Sequence, residues 1–158
     1  MEQERVFGIA SVVCALALNA CSPGAPAGVN HDVLDAAVSH AIGDPASCLL
    51  IAKRGGQVVY RYNSATACDR AFAACDAPGV RKVAALLKAT LADARPRTLS
   101  CNTAADASRG VGWASGPIAG TTLTYAAMME GERAFPGRMI ADRLAGAFQS
   151  AKLAKPTS

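Results

Sequence analysis

The sequence predicts an α+β fold: a small antiparallel sheet of four or five strands with helices packed mainly on one face. Three observations lead there. Apolar residues recur at helical spacing in three separate segments, near residues 30–42, 76–94 and 136–153. Between these segments lie two pairs of strand-like runs, each pair joined by a short glycine-bearing turn. The resulting order is helix, hairpin, helix, hairpin, helix, and hairpin strands pair antiparallel, which leaves the helices to cover the sheet. At 158 residues and 51% hydrophobic, the chain has material for one domain with a sizeable core. Aromatics are only 5%, so that core must be built from small aliphatic side chains.

In the first helical segment Leu34, Ala37, Val38, Ala41 and Ile42 share one face. Asn30 can cap its start and Gly43 can end it, with Pro45 preventing continuation. "SCLLIAK" and "QVVYRY" then flank "RGG", and the second run alternates Val58, Tyr60 and Tyr62 against Gln57, Val59 and Arg61, a hairpin pattern. A cysteine-bracketed loop, "ACDRAFAAC", precedes the second helix, expected over Asp76 to Ala94. There Val80, Val83, Ala84, Leu87 and Leu91 would line the inner face, with Asp76 as cap, Pro78 in the first turn and Pro96 as terminator. Residues 96–109 read as irregular, with a short strand around Thr98–Cys101. "GVGWAS" and "TTLTYAAMM" form a second hairpin around "GPIAG". The last helix, Pro136 to Leu153, turns Ile140, Leu144, Ala147, Phe148 and Ala151 inward. No internal repeat and no linker follow residue 30, so residues 30–158 read as one domain.

The N-terminal segment has a different character. Val6 to Leu18 is a run of 13 residues interrupted by Gly8 and Ser11. A membrane-spanning helix needs about 20 apolar residues, whereas the apolar region of a signal peptide needs about 7–15. Length decides for a signal peptide, residues 1–20. Its end, Leu18-Asn19-Ala20-Cys21, resembles the lipobox of bacterial lipoproteins. That family has an aliphatic residue three before the cysteine and a small one directly before it. Asn19 is larger and more polar than the family's usual residue there, and Met1–Arg5 carries two acids against one arginine. The resemblance implies that a diacylglycerol is joined to the Cys21 thiol, that signal peptidase II cuts before it, and that the new amine is acylated. It also implies that Ser22, being other than Asp, sends the protein to the outer membrane, facing the periplasm. The lipid bilayer is then the first partner, through acylated Cys21. "SPGAPAG" cannot continue a core helix, so residues 21–29 are expected to be a flexible tether.

Setting aside Cys14 and Cys21, four of the six cysteines remain: Cys48, Cys68, Cys75 and Cys101. An even number in an oxidising compartment reads as two disulfides. Three pairings are possible; Cys68–Cys75 with Cys48–Cys101 is favoured because the first two share one loop-like segment. A zinc site is the rival, but no C-x2-C knuckle is present, and neither a metal nor another cofactor is expected. Removing Arg5, Glu2 and Glu4 from the 16 Lys+Arg and 12 Asp+Glu leaves 15 against 10. That surplus is spread through the chain with no aromatic interleaving, which gives nucleic-acid binding no support.

Catalytic constellations are sparse. His31 and His40 lie nine apart, on roughly opposite faces of one helix, so they cannot form a metal pair. "GGQVVYRYNSATACDRAFAACDAPG" resembles the region of β-lactamase-like, penicillin-recognising serine hydrolases that carries F-x-x-S-x-x-K. Here Cys75 stands at the nucleophile's place and Pro78 at the lysine's. "RGVGWASG" occupies the place of a K-T-G strand without that motif. The kinship, so drawn, implies a scaffold without the catalytic machinery, because a serine nucleophile needs a neighbouring amine or imidazole to take its proton. The expectation is therefore a membrane-anchored lipoprotein with a binding or structural role and an envelope protein or cell-wall partner. The candidate surface is the second hairpin and the loop after it: Trp113, Tyr125, Glu130 and Arg133. The alternative is a small envelope hydrolase, or an inactive relative of one, with Cys75 or a nearby serine reactive.

Overall fold

A computed structural model describes residues 24–155. The segment expected to be a signal peptide and the lipobox-like stretch ending at Cys21 lie outside the described residues. Helix α1, His31–Ile42, starts where the Asn30 side chain accepts a hydrogen bond from the Val33 amide at 3.1 Å. It ends where the Gly43 amide returns to the Ser39 carbonyl. Strands β1, Cys48–Lys53, and β2, Val58–Tyr62, form the first hairpin. A short helix α2, Ala65–Asp69, and a two-stranded ribbon of β3, Phe72–Ala73, and β4, Val80–Arg81, lead to helix α3, Val83–Asp93. Strands β5, Arg97–Asn102, β6, Gly110–Pro117, and β7, Leu123–Gly131, form a meander, and helix α4, Gly137–Ser150, follows it. The α+β class and the five-stranded antiparallel sheet are as expected, in the order β2-β1-β7-β6-β5.

Both faces of the sheet are covered. The two longest helices, α1 and α4, share one face and bury Leu34, Val38, Ile140 and Leu144 against Leu49, Ile51, Ala127 and Met129. Helix α3, with α2, covers the other, where Val83, Leu86 and Leu87 meet Leu50, Ala126, Met128 and Trp113. The cause is in the strands: "LLIA" of β1 and "YAAMM" of β7 are apolar at every position, so neither face can be left to water. Each fully buried Leu or Ile contributes roughly 1.5–3 kcal/mol. In β2 the alternation is interrupted. Ile51 pairs with Tyr60 but Ala52 pairs with Val58, so Val59 is an extra residue. This bulge sends Val58 to the α3 face while Tyr60 stays on the α1 face.

Three expectations need correction. Helix α3 begins at Val83, not Asp76. Gly79 adopts φ +98°, closed to most side chains, and turns the chain so that Val80–Arg81 pairs with Phe72–Ala73. Val80 is consequently 68% exposed rather than inner, and Arg81 is bonded to Asp76, the expected cap. The disulfides are Cys48–Cys68 and Cys75–Cys101, not the favoured pairing. Helix α2 carries Cys68 under β1, and the β3–β4 turn carries Cys75 over β5, which separates the two loop cysteines. Residues 26–29, expected to be part of a tether, pack on the domain. Pro26 is buried, the Val29 amide bonds to the Pro26 carbonyl at 3.1 Å, and Val29 packs on the core, so residues 26–29 belong to the domain.

Two buried phenols make the fold sensitive to alkali. The Tyr60 hydroxyl donates to Asp35 at 3.0 Å, and burial first, then that carboxylate, raises its pKa. Tyr125 stands edge-on to Phe148 at 5.3 Å, and burial, then Asp142, pushes it up to about 12. Raised folded-state values mean stability fully present below about pH 10, where unfolded tyrosine ionises, and lost as pH rises through the folded values. By pH 11 each phenol should have forfeited about 1.4 kcal/mol. Urea midpoints at pH 8 and pH 11 test this, and the double Tyr60→Phe, Tyr125→Phe variant should lose the dependence.

Candidate functional site

The four residues anticipated as a binding surface do not form one. Trp113 is fully buried beneath α3, and its indole N–H donates to the Ala73 carbonyl at 2.9 Å. It therefore fastens the β3–β4 ribbon to the sheet. Tyr125 lies on the opposite face, against Phe148 of α4. Pairing of Trp113 with Met128 and of Gly116 with Tyr125 puts the two rings on opposite sides of the pleat. Glu130 and Arg133 do share a site, at the pole where β7 ends.

That site is a recess of about 290 Å³ between the α1–β1 loop, the end of α2, the start of β6 and the β7–α4 loop. Glu130 is only 7% exposed, yet its carboxylate is fully occupied: Arg109 grips it with Nε at 3.1 Å and Nη2 at 3.0 Å. Thr103 donates a longer bond of 3.4 Å to the same carboxylate. A buried carboxylate requires such a partner, and the planar fork of arginine meets both oxygens. Glu130, in turn, raises the Arg109 pKa above its ordinary value. Arg70, Glu132, Arg133 and Asp44 complete the rim.

Neighbouring features hold this rim in shape. The Arg70 guanidinium lies 4.7 Å from the Phe72 ring centroid. Asn63, at φ +73°, donates to the carbonyls of Asp44, Pro45 and Ser47 at 3.0–3.3 Å and so clamps the α1–β1 loop. A second recess of about 250 Å³ adjoins through Arg133, with His40, Met129 and Arg143 in its wall. Arg143 sits 4.3 Å over the Phe135 ring and reaches the Ala41 carbonyl at the end of α1. The pole thus presents four arginines, three of them held by a ring or a carboxylate.

Elsewhere, the disulfide cysteines and several hydroxyls of the described residues serve the fold. Cys75 is bonded to Cys101 and offers no thiolate. Ser64 caps α2, Ser100 accepts the Gly137 amide at 2.8 Å, and the Ser115 hydroxyl is hydrogen-bonded to that of Thr90. Among the described residues no serine hydroxyl is bonded to an imidazole or an amine, and no three His, Cys, Asp or Glu residues gather as a metal site. Among them, too, no helix is long and apolar enough to cross a membrane. Sequence reasoning reached Glu130 and Arg133 but missed Arg109. The available signal was register: a short turn centred near Ala119–Gly120 sets Gly110 opposite Gly131, which leaves Arg109 flanking Glu130. Comparison with protein-family models, curated proteins and solved structures finds no match to this chain.

Proposed function

We propose that the chain is a lipid-anchored envelope protein that acts by binding an anionic group of a protein or cell-wall partner at the arginine-rich pole. The lipobox resemblance at Cys21 supplies the anchor and, through Ser22, the outer membrane as its address. The observation that carries the binding role is the Arg109–Glu130 clasp. It satisfies the buried carboxylate of the pole internally and leaves Arg70 and Arg133, both exposed and both lining the recess, without a carboxylate partner among the described residues. A forked guanidinium recognises a carboxylate or phosphate in two-point fashion.

Photo-crosslinking from position 132 on the same rim in intact cells, against position 88 on the exposed side of α3, tests this reading with both arginines in place. Adducts concentrated at position 132 and lost in Arg70→Glu, Arg133→Glu are expected. Equal labelling at both positions, or none, would overturn it. Alanine at Trp113 or Tyr125 is the wrong test, since both are core residues and their loss would report folding.

A second reading, a non-catalytic relative of the penicillin-recognising hydrolases, is favoured by one feature. After an N-terminal helix and a hairpin, the segment with the nucleophile-like position leads into a helix on the other face, and that position is the half-cystine Cys75. Stoichiometric acylation of one residue by a penicillin-type probe would instead establish an enzyme.

A further inference from the structure

We infer that the opposite pole, built from the β1–β2 turn, the β6–β7 turn and the end of α4, seats on the membrane surface with Lys53, Arg54, Lys152 and Lys155 against anionic phospholipid headgroups. The inference rests on the lipid-anchor reading and adds an orientation to it.

The first argument is where the chain enters the domain. Residues Pro26–Val29 form one wall of a recess of about 570 Å³, whose other walls include Lys53, Arg54 and Lys152. Cys21 is three residues before Gly24, the first described position. A trans backbone spans at most about 3.6 Å per residue, so the two α-carbons can be no more than roughly 11 Å apart. Because residues 26–29 are packed down, acyl chains on Cys21 would hold this pole close to the bilayer. That distance is comparable with the Debye length of about 8 Å at physiological salt, over which surface charge is felt.

The second argument is charge. Lys53, Arg54, Lys152 and Lys155 are all exposed. No described carboxylate lies within salt-bridge distance of any of them, whereas Arg81, Arg97 and Arg109 are each paired. No carboxylate lines the recess; the nearest acid along the chain, Asp32, belongs to the first turn of α1 and contacts His31. The Lys155 amide bonds to the Ala119 carbonyl at 3.2 Å, which places this residue beside the β6–β7 turn. The third argument is the recess floor, where Val59, Leu123 and Leu153 are apolar. Basic rim over apolar floor matches a headgroup region, in which lysine stems lie along hydrocarbon while their amines meet phosphate. The remote pole, mixing Asp44, Glu130 and Glu132 with its arginines, has no such match.

Lysine footprinting separates this inference from the anchor. The acylated protein is extracted from membranes, reconstituted into phosphatidylethanolamine vesicles with or without phosphatidylglycerol, and treated with a membrane-impermeant amine-acylating reagent. Labelling of Lys53, Lys152 and Lys155 should slow by roughly fivefold or more on the anionic vesicles and recover in high salt, while Lys88 on α3 is unchanged. In a Lys53→Glu, Lys152→Glu variant the remaining Lys155 should label at its unprotected rate. Mass spectrometry of the same sample reports acylation at Cys21. Acyl groups present with uniform labelling would overturn the docking alone; acyl groups absent would overturn the anchor and the docking with it.

Discussion

Gly137→Ala should destabilise the domain by about 3 kcal/mol or more, placing it among the costly single substitutions. Helix α4 begins directly on the backbone of β5 and β6. A β-carbon at Gly137 would overlap the Trp113 carbonyl and lie 2.6 Å from both the Leu99 amide and carbonyl. Those are backbone atoms, and they cannot swing aside like the end of a side chain. Relief requires lifting the start of α4, which would cost the Gly137 N–H to Ser100 bond and open the packing of Ile140 on the sheet. Gly112, on the strand below, is in the same position from the other side: its β-carbon would collide with the Phe135 carbonyl.

Gly146, later in the same helix, is the control. A β-carbon there meets nothing within 4 Å. Gly146→Ala should therefore stabilise the helix by roughly 0.5–1 kcal/mol, the ordinary gain at an exposed helix interior. Urea unfolding followed through the buried Trp113 reads both, and opposite signs are expected. Equal effects would mean that α4 does not rest on the sheet as described.

Removing both disulfides should leave the chain largely unfolded. Cys48–Cys68 and Cys75–Cys101 close loops with sequence separations of 20 and 26. In the chain-entropy account each is worth about 3.4 kcal/mol. The loops do not overlap in sequence, so the two contributions add to about 7 kcal/mol, a large part of the roughly 5–15 kcal/mol that holds an ordinary domain together. Reduction of the intact protein should lower its melting temperature sharply, and Cys75→Ala, Cys101→Ala should lower it by about half as much. A melting temperature unmoved by reductant would refute this. The pairing has its own check: trypsin can cut after Arg61, Arg70 and Arg81, which puts each of the four cysteines on its own peptide, so an unreduced digest joins different peptides under each connectivity.

Local signals are legible in this sequence and long-range ones are not. Asn30, Gly43 and the apolar stripe locate α1, and the turns at "RGG" and "GPIAG" locate both hairpins, because each depends on residues within one or two turns of chain. The start of α3 is misplaced since Pro78 and Gly79 fit the start of a helix about as well as the turn they make. Cover on both faces follows from the unbroken apolar runs in β1 and β7, a pattern that the expectation of helices mainly on one face did not use. The disulfide pairing depends on how α2 and the β3–β4 ribbon fold back over the sheet, which no spacing encodes. Of the expected surface, Glu130 and Arg133 fall together because they are neighbours in sequence. Trp113 and Tyr125 part because strand parity, set by turn register, decides which side of a sheet a ring occupies.

The two bridges join the four cysteines of the domain in sequence order, the first to the second and the third to the fourth. A polypeptide threaded amino end first into an oxidising space would present Cys48, then Cys68, then Cys75, then Cys101. Pairing these four in their order of appearance would give the native pattern without reshuffling.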